Sequence, residues 1–318
     1  MKLFFARIFV RSVLQGTALF FLSLPGISCA PGENSRCDVL TGEIADGKYY
    51  ISNGKVRLGV DRERGGSIFY FAEQSGDNLL NHADEGRFIQ QSYYGEPDSS
   101  DWHGKPWVWN PIQGGGCRGE KARILSFEMN GDSLKIVSEP VHWASGKPVS
   151  EAQMEEVITL RGDMARIRYT FRYTGDKAKD HPAAHQEMPA VFVDADLPNM
   201  VFYGGDKPWT GDSLTWVVPG WPNQERIRTE EWAAYTDSTG YGIGVYTPGT
   251  PLATSYRFVG SGTTGPQGGD CSYFAPVRTF AVKKDMVLEY DVYLYIGTLD
   301  RMRAAFDAVR RETLHTNQ

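Results

Sequence analysis

The sequence predicts an all-β protein, a large antiparallel β-sandwich with one C-terminal helix. Three observations carry this. The 318 residues hold 35 Gly and 17 Pro beside 16 Tyr, 16 Phe and 8 Trp, which suits many short strands joined by tight turns. Polar and apolar residues alternate with period two along segment after segment, whereas a single stretch near the end has helical spacing. No internal repeat of about 20–50 residues is visible, which disfavours a solenoid or propeller. With 41% hydrophobic and 23% charged residues the chain is neither disordered nor a multi-span membrane protein, and its net charge of -6 argues against nucleic-acid binding.

The first segment reads as an address. Lys2, Arg7 and Arg11 precede an apolar run densest at Ala18–Leu24, followed by Pro25, Gly26, Ile27, Ser28 and Cys29. A basic start, a short apolar core and small residues define a secretory signal peptide over residues 1–28. Cleavage before Cys29 matches a bacterial lipoprotein signal, whose cysteine takes the lipid; Gly26 in place of the usual Leu keeps ordinary cleavage after Ser28 as the alternative. The expectation is an exported protein of the bacterial periplasm or outer surface, touching membrane only through a lipid on Cys29. Residues 29–47 form a tether, and 48–318 a single β-sandwich domain. Of the remaining cysteines, Cys117 and Cys271 could pair in an oxidising compartment, although sequence does not establish it.

Strands follow in order. Lys48–Ile51, Val56–Val60 and Ser67–Ala72 are separated by Asn53-Gly54 and Gly65-Gly66 turns. Ala122–Met129 and Ser133–Ser138 flank Asn130-Gly131-Asp132, a hairpin signal because Asn-Gly accepts positive φ. Glu155–Leu160 and Met164–Tyr173 flank Arg161-Gly162-Asp163. In the latter strand Ala165, Ile167, Tyr169, Phe171 and Tyr173 share one face and Arg166, Arg168 and Arg172 the other. Val287–Ile296 alternates similarly, and further strands are expected at Gln186–Val193, Leu214–Val218, Trp232–Thr236, Tyr241–Tyr246, Leu252–Phe258 and Tyr273–Val282. The helix starts behind Thr298 as N-cap, with Asp300 in the first turn and Leu299, Met302, Phe306 and Val309 on one face up to Arg310.

A sandwich of this size is either a jelly roll or the larger sandwich of aldose epimerases. Ile51-Ser52-Asn53-Gly54-Lys55-Val56-Arg57-Leu58-Gly59-Val60, then Gly65-Gly66-Ser67-Ile68 and Gly76-Asp77-Asn78-Leu79-Leu80-Asn81, resembles the opening of galactose mutarotase-like domains over roughly 35 residues. The resemblance is at superfamily level and implies a carbohydrate-active β-sandwich. It assigns no mutarotase His or Glu to a position here.

Candidate chemistry concentrates in three clusters. Residues 85–119 hold Arg87, Gln90, Gln91, Tyr94, Trp102, His103, Trp107, Trp109, Asn110 and Gln113. Indole faces stack on the C–H faces of sugars, while amides and Arg bond their hydroxyls, so this mixture suits a carbohydrate cleft; packing of the Trp residues as a satellite core is the competing reading. In the second cluster, His185 and Glu187 lie two apart on an extended segment and so on one face, a candidate acid/base pair or a plain hydrogen-bonded one. The third cluster supplies Trp209, Trp221, Glu230 and Glu231. Glycoside hydrolysis needs two carboxyl groups, and Glu187 with Glu230 or Glu231 is the preferred pair. No metal site or cofactor is predicted: zinc and calcium spacings are wrong, and G-x-S-x-G, P-loop and dinucleotide fingerprints are missing.

These readings point to an extracytoplasmic glycan-cleaving enzyme, a glycoside hydrolase acting on a polysaccharide or oligosaccharide. The alternatives are a polysaccharide lyase on the same fold, using Tyr or His as base with Arg, Gln or Asn facing a uronate, and a non-catalytic carbohydrate-binding surface lipoprotein. A sugar epimerase or a structural surface domain is a third class.

Overall fold

The computed structural model describes residues 40–130 and 133–316. The segment expected to be a signal peptide, Cys29, most of the expected tether, and Gly131 and Asp132 of one turn lie outside the described residues. The chain forms β1 (Leu40–Ala45), β2 (Lys48–Ser52), β3 (Val56–Asp61), β4 (Ile68–Glu73), β5 (Gln90–Ser92), β6 (Pro97–Trp102), β7 (Lys105–Val108) and β8 (Pro111–Ile112). There follow β9 (Arg123–Asn130), β10 (Ser133–Glu139), β11 (Val141–His142), β12 (Ala152–Arg161), β13 (Met164–Tyr173), β14 (Ala183–Asp194) and β15 (Asn199–Phe202). The last elements are β16 (Thr215–Val217), β17 (Gln224–Ile227), β18 (Trp232–Thr236), β19 (Tyr241–Tyr246), β20 (Leu252–Phe258), β21 (Cys271–Ala281), β22 (Met286–Thr298) and α1 (Leu299–Thr316).

Two large sheets make the sandwich. One has nine strands in the order β16-β15-β18-β19-β22-β13-β12-β10-β9, the other seven in the order β11-β8-β5-β14-β21-β20-β17. Both exceed what an eight-stranded jelly roll divides between its sheets, so the architecture is a large antiparallel sandwich and not that jelly roll. Strands β1–β4 form a third sheet and β6–β7 a separate hairpin. The alternation read from sequence sets which face is buried: Ala165, Ile167, Tyr169, Phe171 and Tyr173 are all buried, while Arg166 and Arg168 stand outside and share Asp291. Ile136, Ile158, Ile167 and Val292 of the nine-stranded sheet join Met188, Val191, Val193 and Phe274 of the seven-stranded one in one core, together with Ile51, Leu58 and Phe71 of the third sheet.

Helix α1 extends to Thr316, beyond the expected end at Arg310. Its apolar face packs Leu299, Met302, Phe306 and Val309 on Trp232, Tyr246 and Tyr295 of the nine-stranded sheet. Gly244 permits that approach, since a Cβ there would come within 2.9 Å of Met302 Sδ and 3.0 Å of Phe306. The helix thus covers part of the outer face of the nine-stranded sheet. The exposed face of the seven-stranded sheet is left to a cleft.

Candidate functional site

Strand β14 runs through the middle of the seven-stranded sheet and carries one extra residue just after Glu187. Glu187 pairs with Val277 and Val191 with Phe274, so four steps on β14 match three on β21. On the other side, Glu187 pairs with Ser92 and Ala190 with Gln90, three steps against two. Pro189 sits within this bulge, where a residue without an N–H costs the ladder least. The bulge resets the alternation, so that Glu187, Ala190 and Phe192 all face the cleft.

Glu187 is recessed among neutral donors. The Tyr273 hydroxyl donates to its Oε1, and the Ser92 and Tyr94 hydroxyls also bond the carboxyl. Burial raises the Glu187 pKa above the ordinary value of 4.5, with those three hydroxyls acting against the rise. Burial also lifts the Tyr94 and Tyr273 phenols well above 10, and the neighbouring Glu187 charge adds to it. The shifts all run towards the protonated forms of these groups. Gln186, facing the other way, fixes this geometry: its amide accepts from Tyr94 N at 2.6 Å and donates to Tyr94 O at 2.9 Å.

Two adjoining lobes meet at Glu187, sharing Tyr94, Trp107, Glu187 and Asn223. Their volumes, about 370 and 400 Å³, lie within the roughly 300–1,000 Å³ of small-molecule sites. The first lobe is aromatic, with Trp102, Trp143, Phe192, Trp221, Tyr256 and Phe258 in its walls, and Asp84 and Arg87 on one side. Trp102 and Trp107 come from the β6–β7 hairpin and meet edge to face at 5.0 Å. Asn110 accepts from Trp107 Nε1 at 3.2 Å and donates to Tyr93 O at 2.8 Å, which ties that hairpin to β5. Trp143 lies close against Gly86, where a Cβ would approach its ring to 2.7 Å. Trp221 is 62% exposed and packs edge-on against Tyr256 at 4.8 Å. The second lobe is lined by His185, Glu225, Leu252, Thr254 and Val277 besides the shared residues.

The cleft thus gathers Arg87, Tyr94, Trp102, Trp107, Asn110, His185, Glu187 and Trp221 from the expected residues. His185 and Glu187 share a face as the spacing predicts, but not a hydrogen bond. His185 Nδ1 meets Thr279 Oγ1 at 2.7 Å and its Nε2 lies 3.3 Å from Glu225 Oε1.

Other expected residues lie elsewhere. His103 is exposed at the tip of the β6–β7 hairpin, where His103 and Gly104 both have positive φ, 50° and 80°, as a tight two-residue turn requires. Trp109 is buried and stacks on His181 at 4.0 Å, so for this ring the satellite-core reading holds. Gln90, Gln91 and Gln113 are fully buried and brace β5: Gln90 bonds Gly114 N and Glu85 O, Gln91 bonds Glu155 O, and Gln113 bonds Gln91 N and Gly65 O. Trp209 packs on Tyr246 beneath Arg310. Glu230 is buried in an ion pair with Arg303, and Glu231, at φ 61°, accepts from Gly249 N. Neither lines a lobe with Glu187. Cys117 and Cys271 are free thiols, and burial pushes that of Cys271 up to about 11.

The cleft also holds Ser92, Trp143, Asn223, Glu225, Tyr256 and Tyr273, which no motif in the sequence singles out. Tyr256 and Tyr273 sit in strands that were expected, and the period-two rule places Tyr273 on the face opposite the core residue Phe274. That signal was available. Glu225 and Asn223 lie in a stretch with no periodicity to read.

No family model matches the chain, and no curated protein does. Solved structures similar to it include a galactose mutarotase-like protein from Lactobacillus casei ATCC 334, with TM-score 0.49, 12% identity, and coverage of 79% of this chain and 100% of that one. A galactose mutarotase-like protein from Clostridium acetobutylicum gives TM-score 0.49 and 10% identity over 82% of this chain and 99% of the other. A 4-alpha-glucanotransferase from Thermococcus litoralis gives TM-score 0.45 and 14% identity over 82% of this chain, which spans only 40% of that enzyme. The likeness is one of sandwich architecture at low identity.

Proposed function

We propose that the protein is an exported glycan-cleaving enzyme, a glycoside hydrolase whose proton donor is Glu187. The observation that carries this reading is a recessed carboxyl, surrounded by neutral hydroxyls and holding its proton above the usual range, at the junction of two lobes with aromatic walls. A glycosidic oxygen over Glu187 would leave one sugar ring in each lobe. Protonation of that oxygen makes the departing sugar a good leaving group. Glu225 is the second carboxylate. It is exposed to the second lobe and held by His185, which suits a base that takes a proton from water. Asp84 is less suited, because it is paired with Arg87 at 3.2 Å and also accepts from Gly86 N.

Elimination asks for the opposite chemistry. A lyase needs a base poised to remove a proton, and Tyr94 and Tyr273 are held in their neutral form. The test is a polysaccharide panel followed for new reducing ends and for the ultraviolet absorbance of an unsaturated sugar. Reducing ends without absorbance, lost in Glu187→Gln and retained in Glu230→Gln, are the expected result. Absorbance would establish elimination, and binding without either signal would make the protein a glycan-binding lipoprotein.

A further inference from the structure

The two lobes differ in lining but agree in charge. Asp84, Glu187 and Glu225 are their carboxyl groups, and Arg87 and His185 are the lining groups able to carry positive charge among the described residues. Neither is unengaged. Arg87 Nε lies 3.2 Å from Asp84 Oδ2, and its Nη1 donates to Gly269 O at 2.8 Å. His185 has Glu225 at Nε2 and Thr279 at Nδ1. Lys105, the first residue of β7, lies over the Trp102 ring, 5.9 Å from its centroid, and is exposed, so that salt screens it.

We propose that this cleft takes an uncharged glycan and disfavours uronic and sulfated ones, because Arg87 and His185, the lining groups able to carry positive charge among the described residues, each already face a carboxylate of the cleft itself. The inference rests on the glycan reading above and narrows it to a substrate class. A carboxylate or sulfate on a sugar ring would have to displace Asp84 from Arg87, or Glu225 from His185, and leave that displaced carboxylate facing a second negative charge. Like charges brought together across an interface discriminate strongly against the wrong partner. Neutral sugars meet no such opposition: their hydroxyls can accept from Arg87 and donate to Asp84 or Glu225 while the Arg87–Asp84 and His185–Glu225 contacts stay in place.

The experiment compares neutral polysaccharides with carboxymethylated forms of the same backbones, using the full chain bearing Glu187→Gln so that binding is read without turnover. The neutral form should bind at least about tenfold more tightly. Adding Asp84→Asn, which frees Arg87, should shrink that ratio, and circular dichroism of the variant shows whether it has folded. If Asp84→Asn does not fold, Glu225→Gln in its place should shrink the ratio through His185. Tighter binding of the carboxymethylated form, weakened by salt, overturns the inference and leaves the glycan reading standing. Failure of every neutral and carboxymethylated member to bind overturns the glycan reading and this inference with it.

Discussion

Glu187 and Glu230 are both withdrawn from bulk water, yet their surroundings differ in one respect. Glu230, under the helix-covered face of the nine-stranded sheet, receives Arg303 Nη2 at 2.5 Å and Nε at 3.0 Å, with Trp209 N at 2.7 Å and Trp232 Nε1 at 2.9 Å. Glu187, on the open face of the seven-stranded sheet, has hydroxyl donors and, among the described residues, no cation beside it. A guanidinium fastens a buried carboxylate to a second element, here the turn before β18 to α1. Neutral donors position a carboxyl without fixing its charge, and burial then favours the protonated form. The first arrangement builds a fold; the second leaves a proton available for chemistry.

The sharpest test of that contrast substitutes one glutamate at a time. Glu187→Gln should lower turnover by about 10²–10⁴-fold, the usual contribution of a positioned general acid, with the denaturation midpoint little changed. Because the protonated form of Glu187 is the active one, turnover in the wild type should persist below its raised pKa and fall as pH rises through it. An activity that rises over that range would assign Glu187 to the opposite role. Glu230→Gln should leave turnover in place but cost about 3 kcal/mol of stability in urea unfolding, since Arg303 loses its buried partner. Equal loss of turnover in both variants, at unchanged stability, would break the comparison.

A third glutamate extends it. Glu156 of β12 is fully buried, and burial pushes its pKa up to about 8, with the Gln113 amide acting against the rise. Below the unfolded value of 4.5 both states are protonated, so the residue carries no penalty there. As pH rises from that value towards 8, the unfolded chain ionises first and stability is lost. Glu156→Gln removes this dependence. The variant should gain about 2–4 kcal/mol over the wild type at about pH 8 and nothing at about pH 4, measured by urea midpoints at the two pH values. Equal gains at both would mean that packing rather than ionisation sets the effect.

Much of the sandwich was legible because period-two patterning and Gly turns are local. Met164–Tyr173 declares its own two faces, and Thr298 with Leu299, Met302, Phe306 and Val309 declares a helix. The site was legible only in part, because residue type names a chemistry but not a neighbour. Gln90, Gln91 and Gln113 look like sugar-binding amides, yet they are spaced across short strands whose backbone groups need partners, and they supply them. The bulge after Glu187 is an insertion relative to β5 and β21, strands distant in sequence, so no reading of β14 alone could place it. Glu230 met its cation 73 residues away in the last helix. Glu225 and His185 found each other across the sheet in the same way.

The smallest expected effects separate the tryptophans. Trp107 is half-buried at the junction of the lobes and Trp109, two residues on, is buried against His181 and Tyr173. Trp107→Ala should weaken glycan binding about tenfold with little loss of stability, whereas Trp109→Ala should cost about 3–5 kcal/mol in unfolding, as loss of a core aromatic does. Trp221, exposed at the rim of the aromatic lobe, has little packing to lose. Trp221→Ala should reduce affinity by about fivefold, or 1 kcal/mol, for a glycan long enough to reach the rim. The same substitution should not alter binding of a glycan too short to reach it. A length-independent loss would place Trp221 among the residues that shape the lobe, instead of those that extend it.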